Sequence, residues 1–586
     1  MRYSRCSLFS ANNFGGKPEK ANLVVKQLTL FFLLYLFCLL SVAQVSIDPA
    51  AEAARQHEQR LQQEQQRQRD QIQSRQPDAD IFLQPDIEQQ TDDAALASGQ
   101  CFDVQVIVVK GVTWFSGSDI EKITASYQQR CLNLGDINQL LKAITTLYID
   151  DGLITSRAFL QPQNLKSGQL TILVVEGKLT SLESVDGSLR ERQLYWAFPV
   201  ENNNLLSLRD LEQGLEQLNR LQQNRAEMDV EPGAQPGESR VVVRNVPARS
   251  VHGGIGVNNT GSEATGEWLS NAWLSWDNPA SSNDNLYLSV SDAIDNPDQA
   301  KSRSYSFSYS IPYGYGLYSY STNYFEYQQL VRGVAIDFVT SGSSLNHTLT
   351  SDYTILRRQR DKIAFASALT RKESKNYLED VFLETSSRVL YVVDVGVVYT
   401  RPLQRGMLRG SFKWHRSLDW FDATTKIVNA ESDFQFDKYT VDASINTALE
   451  IFDTPFFYTS SVHLFYSPEK IIASEALSIG GRYTVRGIEG ESLFGYRGGY
   501  WRNELTHTHY FINRGRLDTF IGLDLGASDT PELAEKGTEL LAGAASGMRY
   551  INRGFSMDVA YSQALRAPGF LQGDQHGVYA ALQIGF

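Results

Sequence analysis

Two glycine-flanked stretches hold the residues of this chain best suited to a directed charge contact. Arg482-Tyr483-Thr484-Val485-Arg486-Gly487-Ile488-Glu489-Gly490 is a glycine-rich segment between strand candidates, and Phe520-Ile521-Gly522-Leu523-Asp524-Leu525-Gly526 follows it. A guanidinium offers a rigid fork of donors that fits a carboxylate, a geometry lysine cannot copy. Strand alternation puts Leu517, Ile521, Leu523 and Leu525 on one face, so Asp524 lies on the other. Arg486 and Asp524 therefore either form a pair or leave Arg486 a solvated loop residue, and both readings stand at this point.

Other chemistry is sparse. There is no Gly-x-Ser-x-Gly elbow, no His-Glu-x-x-His helix, no phosphate loop and no EF-hand pattern, so no enzyme is expected and no cofactor is called for. His507 and His509 share a strand face and could bind a metal. Their neighbours Trp501, Leu505 and Phe511 share that face, which favours histidines on an apolar surface and no metal site. The net charge of -13 argues against a nucleic-acid partner, which would favour a basic face.

The compartment is read from the N-terminus. Arg2, Arg5, Lys17, Lys20 and Lys26 precede an apolar run from Leu28 to Leu40, and Ser41-Val42-Ala43 supplies small residues at the cleavage positions of a secretory signal. Residues 1–43 are therefore expected to be removed, taking Cys6 and Cys38 with them. Cys101 and Cys131 remain, and in an oxidising periplasm a lone pair reads as a disulfide. No nearby histidine completes a zinc set.

These residues must be positioned by three kinds of element. Residues 44–75 are dominated by Gln, Arg, Glu and Ala, with Asp48-Pro49 a good helix start and Gln76-Pro77 a stop. A helix polar on every side has no core to dock on; it is either a solvated linker or a plug in a wet channel. Residues 76–100, acidic and without periodicity, read as a tether. From Cys101 to about Pro247, short strands alternate with amphipathic helices. A strand at Asp103–Val109, helices at Asp119–Tyr127 and Asp136–Tyr148, and strands at Arg157–Gln161 and Leu170–Val175 form one β-α-α-β-β unit. The order repeats with Leu179–Val185, helices near Leu189–Trp196 and Leu208–Leu221, and strands near Met228 and at Arg240–Val246, giving units 101–176 and 177–248.

Residues 249–586 are dense in strict alternation. Tyr305, Phe307, Tyr309 and Ile311 interleave with serines, and Gly314-Tyr315-Gly316 turns the chain into Tyr318, Tyr320 and Thr322 alternating with Ser319, Ser321 and Asn323. The run of Tyr391, Val393, Val395, Val397 and Tyr399 repeats the pattern. With 28 Tyr, 29 Phe, 43 Gly and a mean hydropathy of -0.30, the profile resembles that of a soluble protein, and transmembrane barrels share it because their strands show lipid only alternate residues. At roughly 21 residues per strand and connection, the segment holds about 16 strands, an even number as an antiparallel meander requires. The last strand, Val578 to Phe586, sets Val578, Ala580, Leu582, Ile584 and Phe586 on one face.

The tandem β-α-α-β-β units resemble POTRA domains, the periplasmic modules of the Omp85 superfamily. Val485-Arg486-Gly487-Ile488 resembles the VRG[FY] signature of that superfamily's inward-folded loop, with Ile488 in place of the usual aromatic. Gly522, Asp524 and Gly526 resemble its barrel partner motif, and Phe586 resembles the terminal aromatic by which the barrel assembly machinery recognises its clients. Within the superfamily, two POTRA units, a polar N-terminal helix and a Cys pair spanning the first unit resemble the TpsB transporters of two-partner secretion, also called the ShlB/FhaC/HecB family. The resemblance implies a barrel in outer-membrane lipid, Arg486 paired with Asp524 in the lumen, and residues 44–75 plugging it. It also implies a secreted TpsA-like exoprotein, such as a haemolysin or adhesin, docking unfolded on the POTRA units. An assembly factor that inserts other barrels and a gated porin are the rival functions.

Overall fold

The computed structural model describes residues 101–184, 187–295, 300–331, 337–425, 434–511, 515–529, 537–571 and 573–586. The signal, plug-helix and tether expected at 1–43, 44–75 and 76–100 lie outside the described residues.

The first module contains β1 (Phe102–Val104), β2 (Val106–Lys110), α1 (Gly117–Thr124), β3 (Arg130–Leu132), α2 (Leu134–Asp150), β4 (Arg157–Leu160) and β5 (Gln169–Val175). The single strand expected at Asp103–Val109 is broken at Gln105, because the chain changes partner there. β1 pairs antiparallel with β3, β2 pairs parallel with β5, and Gly168 O accepts from the backbone N–H groups of both Gln105 and Val106. Helix α2 starts where Asn133 and Asp136 cap each other's backbone N–H groups, at 2.8 and 2.9 Å. Its Ile137, Leu140, Ile144 and Tyr148, at helical spacing, pack on Leu170 and Ile172 of β5. A disulfide joins Cys101 to Cys131 with Cα atoms 5.4 Å apart, tying the start of the module to β3.

The second module runs β6 (Lys178–Ser184), α3 (Glu191–Ala197), α4 (Leu208–Asn219), β7 (Ala226–Pro232) and β8 (Glu238–Asn245). Its sheet order is β6-β8-β7, with β6 and β8 parallel. Leu211, Leu215 and Leu218 of α4 bury against Val241 and Val243 of β8.

Residues from Val251 onward close into an antiparallel barrel of 16 strands. They are β9 (Val251–Asn258), β10 (Leu269–Asp277), β11 (Asn285–Ala293), β12 (Lys301–Tyr313), β13 (Gly316–Val331), β14 (Phe338–Arg357) and β15 (Lys362–Leu378). After the stub β16 (Val381–Phe382) come β17 (Arg388–Leu403), β18 (Gly406–Leu418), β19 (Asp437–Ile451) and β20 (Thr454–Tyr466). Within the next connection lie β21 (Leu477–Ile479) and β22 (Leu493–Gly495), which pair with each other. The wall then resumes with β23 (Arg497–Phe511), β24 (Gly515–Asp529), β25 (Thr538–Asn552), β26 (Phe555–Arg566) and β27 (His576–Gly585).

Alternation decides the two faces. Ile521, Leu523 and Leu525 of β24 are exposed on the outside, while Asp524 between them is 1 % exposed. His507 and His509 pair with Thr519 and Leu517, which share the outward face of Ile521, and their rings contact each other edge-on. No group of three or more metal-ligating residues occurs among the described residues. The ring closes where β27 meets β9 through only five residue pairs, from Ala581↔Asn258 to Gly585↔Gly254. Phe586 extends that seam, exchanging backbone hydrogen bonds with Gly253 in both directions.

Candidate functional site

The connection between β20 and β23, residues 467–496, carries the expected loop motif, and its packing shows why it sits inside the barrel. Ile471, Ile472, Leu477, Ile479, Val485, Ile488 and Leu493 bury in one cluster with Leu390 and Val392 of β17 and Leu541 of β25. Those wall residues face the lumen, opposite outward neighbours such as Val397 and Leu540. A polar-lined pore would leave them wet; here they form an apolar seat for the loop. Ile488, standing where the resembled motif has an aromatic ring, is 1 % exposed in that cluster.

Arg486 is 4 % exposed and meets Asp524 as a two-pronged pair, Nε to Oδ2 at 2.6 Å and Nη2 to Oδ1 at 2.8 Å. Its backbone N–H donates to the same Oδ2 at 3.1 Å, so loop backbone and loop side chain grip one carboxylate. The third guanidinium nitrogen is also engaged, Nη1 reaching Glu504 Oε2 at 3.0 Å, and Nη2 reaches the Asn503 carbonyl as well, at 3.2 Å. Glu504 in turn accepts from Arg549 Nη1 at 2.6 Å, and Arg549 lies over the Phe520 ring. Arg482 points to Asp558 at 3.4 Å and over the Tyr579 ring. A chain of alternating charge thus links the loop to strands from β23 to β26.

The glycines of the two motifs make room for this contact. A Cβ on Gly522 would overlap the Arg486 guanidinium, and one on Gly526 would press on Val485 and Ile479. Gly487 has φ 103° and lies against the backbone of Gln563 and Ala564, so only glycine fits there. Gly543 of β25, absent from the motif reading, gives the Arg486 carbonyl its space in the same way.

A second mooring went unseen in the sequence. Glu475, on a short 3-10 turn of the loop, accepts from Lys372 Nζ of β15 at 2.8 Å and Lys438 Nζ of β19 at 2.7 Å. Its side chain is fully enclosed, and Lys438 also approaches the rings of Phe436 and Phe465. Nothing local marks Glu475, because its partners are more than 30 residues away and on other strands.

Below the wall, the second module docks on the turns at the end where the chain enters and leaves the barrel. Glu216 of α4 binds Arg357 Nη1 at 2.5 Å and also Lys362, the two residues flanking the β14–β15 turn. Burial alone would raise the Glu216 carboxyl, but Lys362 and Arg357 outweigh it and bring it down to about 2. Asp210 accepts from the Tyr315 hydroxyl, and Gln213 and Gln217 both donate to the Gly314 carbonyl at 3.3 Å.

Comparison with known proteins agrees with this architecture. Residues 102–177 match the ShlB-type POTRA domain, 178–232 a POTRA domain, and 237–550 the haemolysin secretion/activation protein ShlB/FhaC/HecB. The chain is 31 % identical to the outer membrane transporter CdiB of Escherichia coli over 95 % of this chain and 94 % of the relative. It is 28 % identical to the hemolysin transporter protein ShlB of Serratia marcescens, over 77 % and 80 % of the two chains. The solved structure of CdiB from Escherichia coli superposes with a TM-score of 0.83 at 30 % identity, covering 93 % of this chain and 100 % of that one. With the lumen loop, tandem modules and 16-stranded wall already in place, the chain belongs to the haemolysin secretion/activation family ShlB/FhaC/HecB.

Proposed function

We propose that this chain is an outer-membrane transporter of two-partner secretion. Its POTRA tandem takes an unfolded, TpsA-like exoprotein in the periplasm and feeds it to the barrel, which passes it to the cell surface. The observation carrying this reading is a lumen loop held to the wall by discrete charge moorings, Arg486 to Asp524 and Glu475 to Lys372 and Lys438. Such contacts are directional and can be exchanged for others one by one, which suits a conduit that must rearrange for a passing chain.

The first module offers a place for an extended segment. β2 and β4 are the outer strands of the sheet β2-β5-β4. Beside β2, a cleft of about 390 Å³ is lined by Ile107, Val109, Phe115 and Ile120. A strand added along β2 would gain main-chain hydrogen bonds and set alternate side chains in that cleft. Outside the cell, progressive folding of the cargo supplies the drive, since the periplasm lacks ATP. The exposed ring of Phe586 serves in assembly, as the mark read by the barrel assembly machinery.

Removing residues 101–247 should abolish export while the barrel still inserts, and residues 101–247 alone should bind the unfolded N-terminal domain of the cognate exoprotein. Normal export by the barrel alone would overturn the proposal. Loss of other outer-membrane barrels in a deletion strain, with exoprotein export intact, would favour the assembly-factor reading instead.

A further inference from the structure

We infer that helix α3 of the second module is a membrane-contacting element, seated in the phospholipid headgroup layer beneath strands β10 to β13. The two helices of that module straddle the β12–β13 turn. On one side, Arg220 of the α4 C-cap donates to Ser310 Oγ at 3.0 Å. Ser310 shares the face of the buried Ser302 and Ser304, which line the lumen. On the other side, Tyr195 and Trp196 of α3 pack against Tyr313, with ring centroids 6.2 and 5.5 Å apart. Tyr313 ends the outward column of Tyr305, Phe307, Tyr309 and Ile311, so α3 continues the lipid-facing surface of the wall.

The rest of α3 is fixed to the same outer rim. Arg192 Nε donates to Ser282 Oγ at 2.8 Å in the β10–β11 turn, and the Gln193 carbonyl accepts from Asn283 Nδ2 at 2.6 Å. The Gly314 N–H donates to the Trp196 carbonyl at 2.9 Å. Held this way, Tyr195 is 66 % exposed and Tyr313 50 %, and the Arg192 guanidinium lies over the Trp196 ring. A soluble domain gains nothing from presenting two aromatic rings and an arginine side by side at the foot of a lipid-facing column. At a bilayer boundary the same group is favourable: tyrosine and tryptophan put their apolar bodies at the acyl edge and their polar ends among headgroups, and arginine pairs with phosphate. Glu191 adds one acidic group to the exposed side of α3, so apolar and aromatic contact outweighs net charge. The occupant is the inner-leaflet phospholipid surface, continuous with the lipid that covers the barrel.

The test uses residues 44–586, which lack Cys6 and Cys38 and in which Cys101 and Cys131 are already joined, in nanodiscs that contain phosphatidylcholine with a nitroxide on its headgroup. A fluorophore on Glu191→Cys, one turn from Tyr195, reports proximity while leaving the rings in place. Phe555→Cys, at the corresponding end of the lipid face, and Phe159→Cys, exposed on β4 of the first module, set the two limits. Quenching at position 191 should fall within about twofold of that at 555 and stand about fivefold above that at 159. Adding Tyr195→Ser should lower it about twofold or more, while heat-modifiable barrel persists. Quenching at 191 equal to that at 159, or unchanged by Tyr195→Ser, would overturn the inference.

Discussion

At the scale of single residues, Arg486 has all three of its guanidinium nitrogens engaged, by Asp524, Glu504 and Asn503. Removing one partner of a buried pair leaves the other charge uncompensated, a loss on the order of 3 kcal/mol against the ~0–1 kcal/mol of an exposed bridge. Arg486→Ala and Asp524→Ala should each depress export while heat-modifiable barrel stays near normal. The double variant should be no worse than the poorer single; losses that multiply would mean the two act separately. Gly522→Ala should imitate Arg486→Ala, because the new methyl group occupies the guanidinium's position. Alternation alone places Asp524 away from lipid, since Leu523 and Leu525 beside it must face out. Glu504, Arg549 and Gly543 could not be found this way, because they join the site through strand register, which a single sequence does not state.

At the scale of elements, the loop is moored at two sectors of the wall, and the Glu475 mooring can be tested apart from export. Glu475→Gln keeps the shape and removes the charge that two lysines share. A thiol introduced by Ser478→Cys, buried in the loop beside this turn, should then react with a charged maleimide about tenfold faster or more, the change expected from a loss above ~1.4 kcal/mol. Unchanged labelling would reduce Glu475 to a passenger. The disulfide belongs to this scale too. Reducing it should lower the stability of the first module by roughly 3–4 kcal/mol on the chain-entropy model, read by denaturant unfolding of residues 101–247, with little effect on cargo recognition. Sequence patterning is clear for helices with one apolar face, such as α2, and for hairpins such as β12–β13. It misses the break at Gln105, where strand character is continuous and only the change of partner divides the run. It also passes over the loop's seat, although Leu540-Leu541 and Val392-Val393 carry the trace of it: adjacent apolar residues mean both faces of the wall are covered.

At the scale of the whole molecule, the contact between the second module and the barrel includes a buried charge cluster around Glu216 and is therefore responsive to pH. The carboxyl of Glu216 is held at about 2 in the docked state, below its ordinary value of 4.5. Its stabilising contribution is complete above that ordinary value and is lost as pH falls through the docked one. Spin labels at Glu191→Cys and Phe452→Cys should show a distance distribution that broadens as pH is lowered from about 4.5 toward about 2, and Glu216→Gln should be broad at neutral pH already. A sharp distribution at both pH values would remove Glu216 from the joint. Residues 44–75 extend the prediction to the pore: their deletion should raise single-channel conductance in planar bilayers if they plug the lumen, and leave it unchanged if they are a linker.

The clasp of α3 and α4 around Gly314 also sets a load path. Between β8 and β9 the two bodies share one covalent strand, residues 246–250, which by itself would act as a loose hinge. The clasp, together with the charges around Arg357, lies in parallel with that hinge and brings α3 and α4 against turns from three hairpins, β10–β11, β12–β13 and β14–β15. Tension applied to the modules by a chain threading the pore would therefore reach the wall as shear spread over many short bonds, which must fail together, before the hinge bears any of it. Pulled by its N-terminal side, the molecule should give way first within the first module, and the joint to the barrel should be the last to yield.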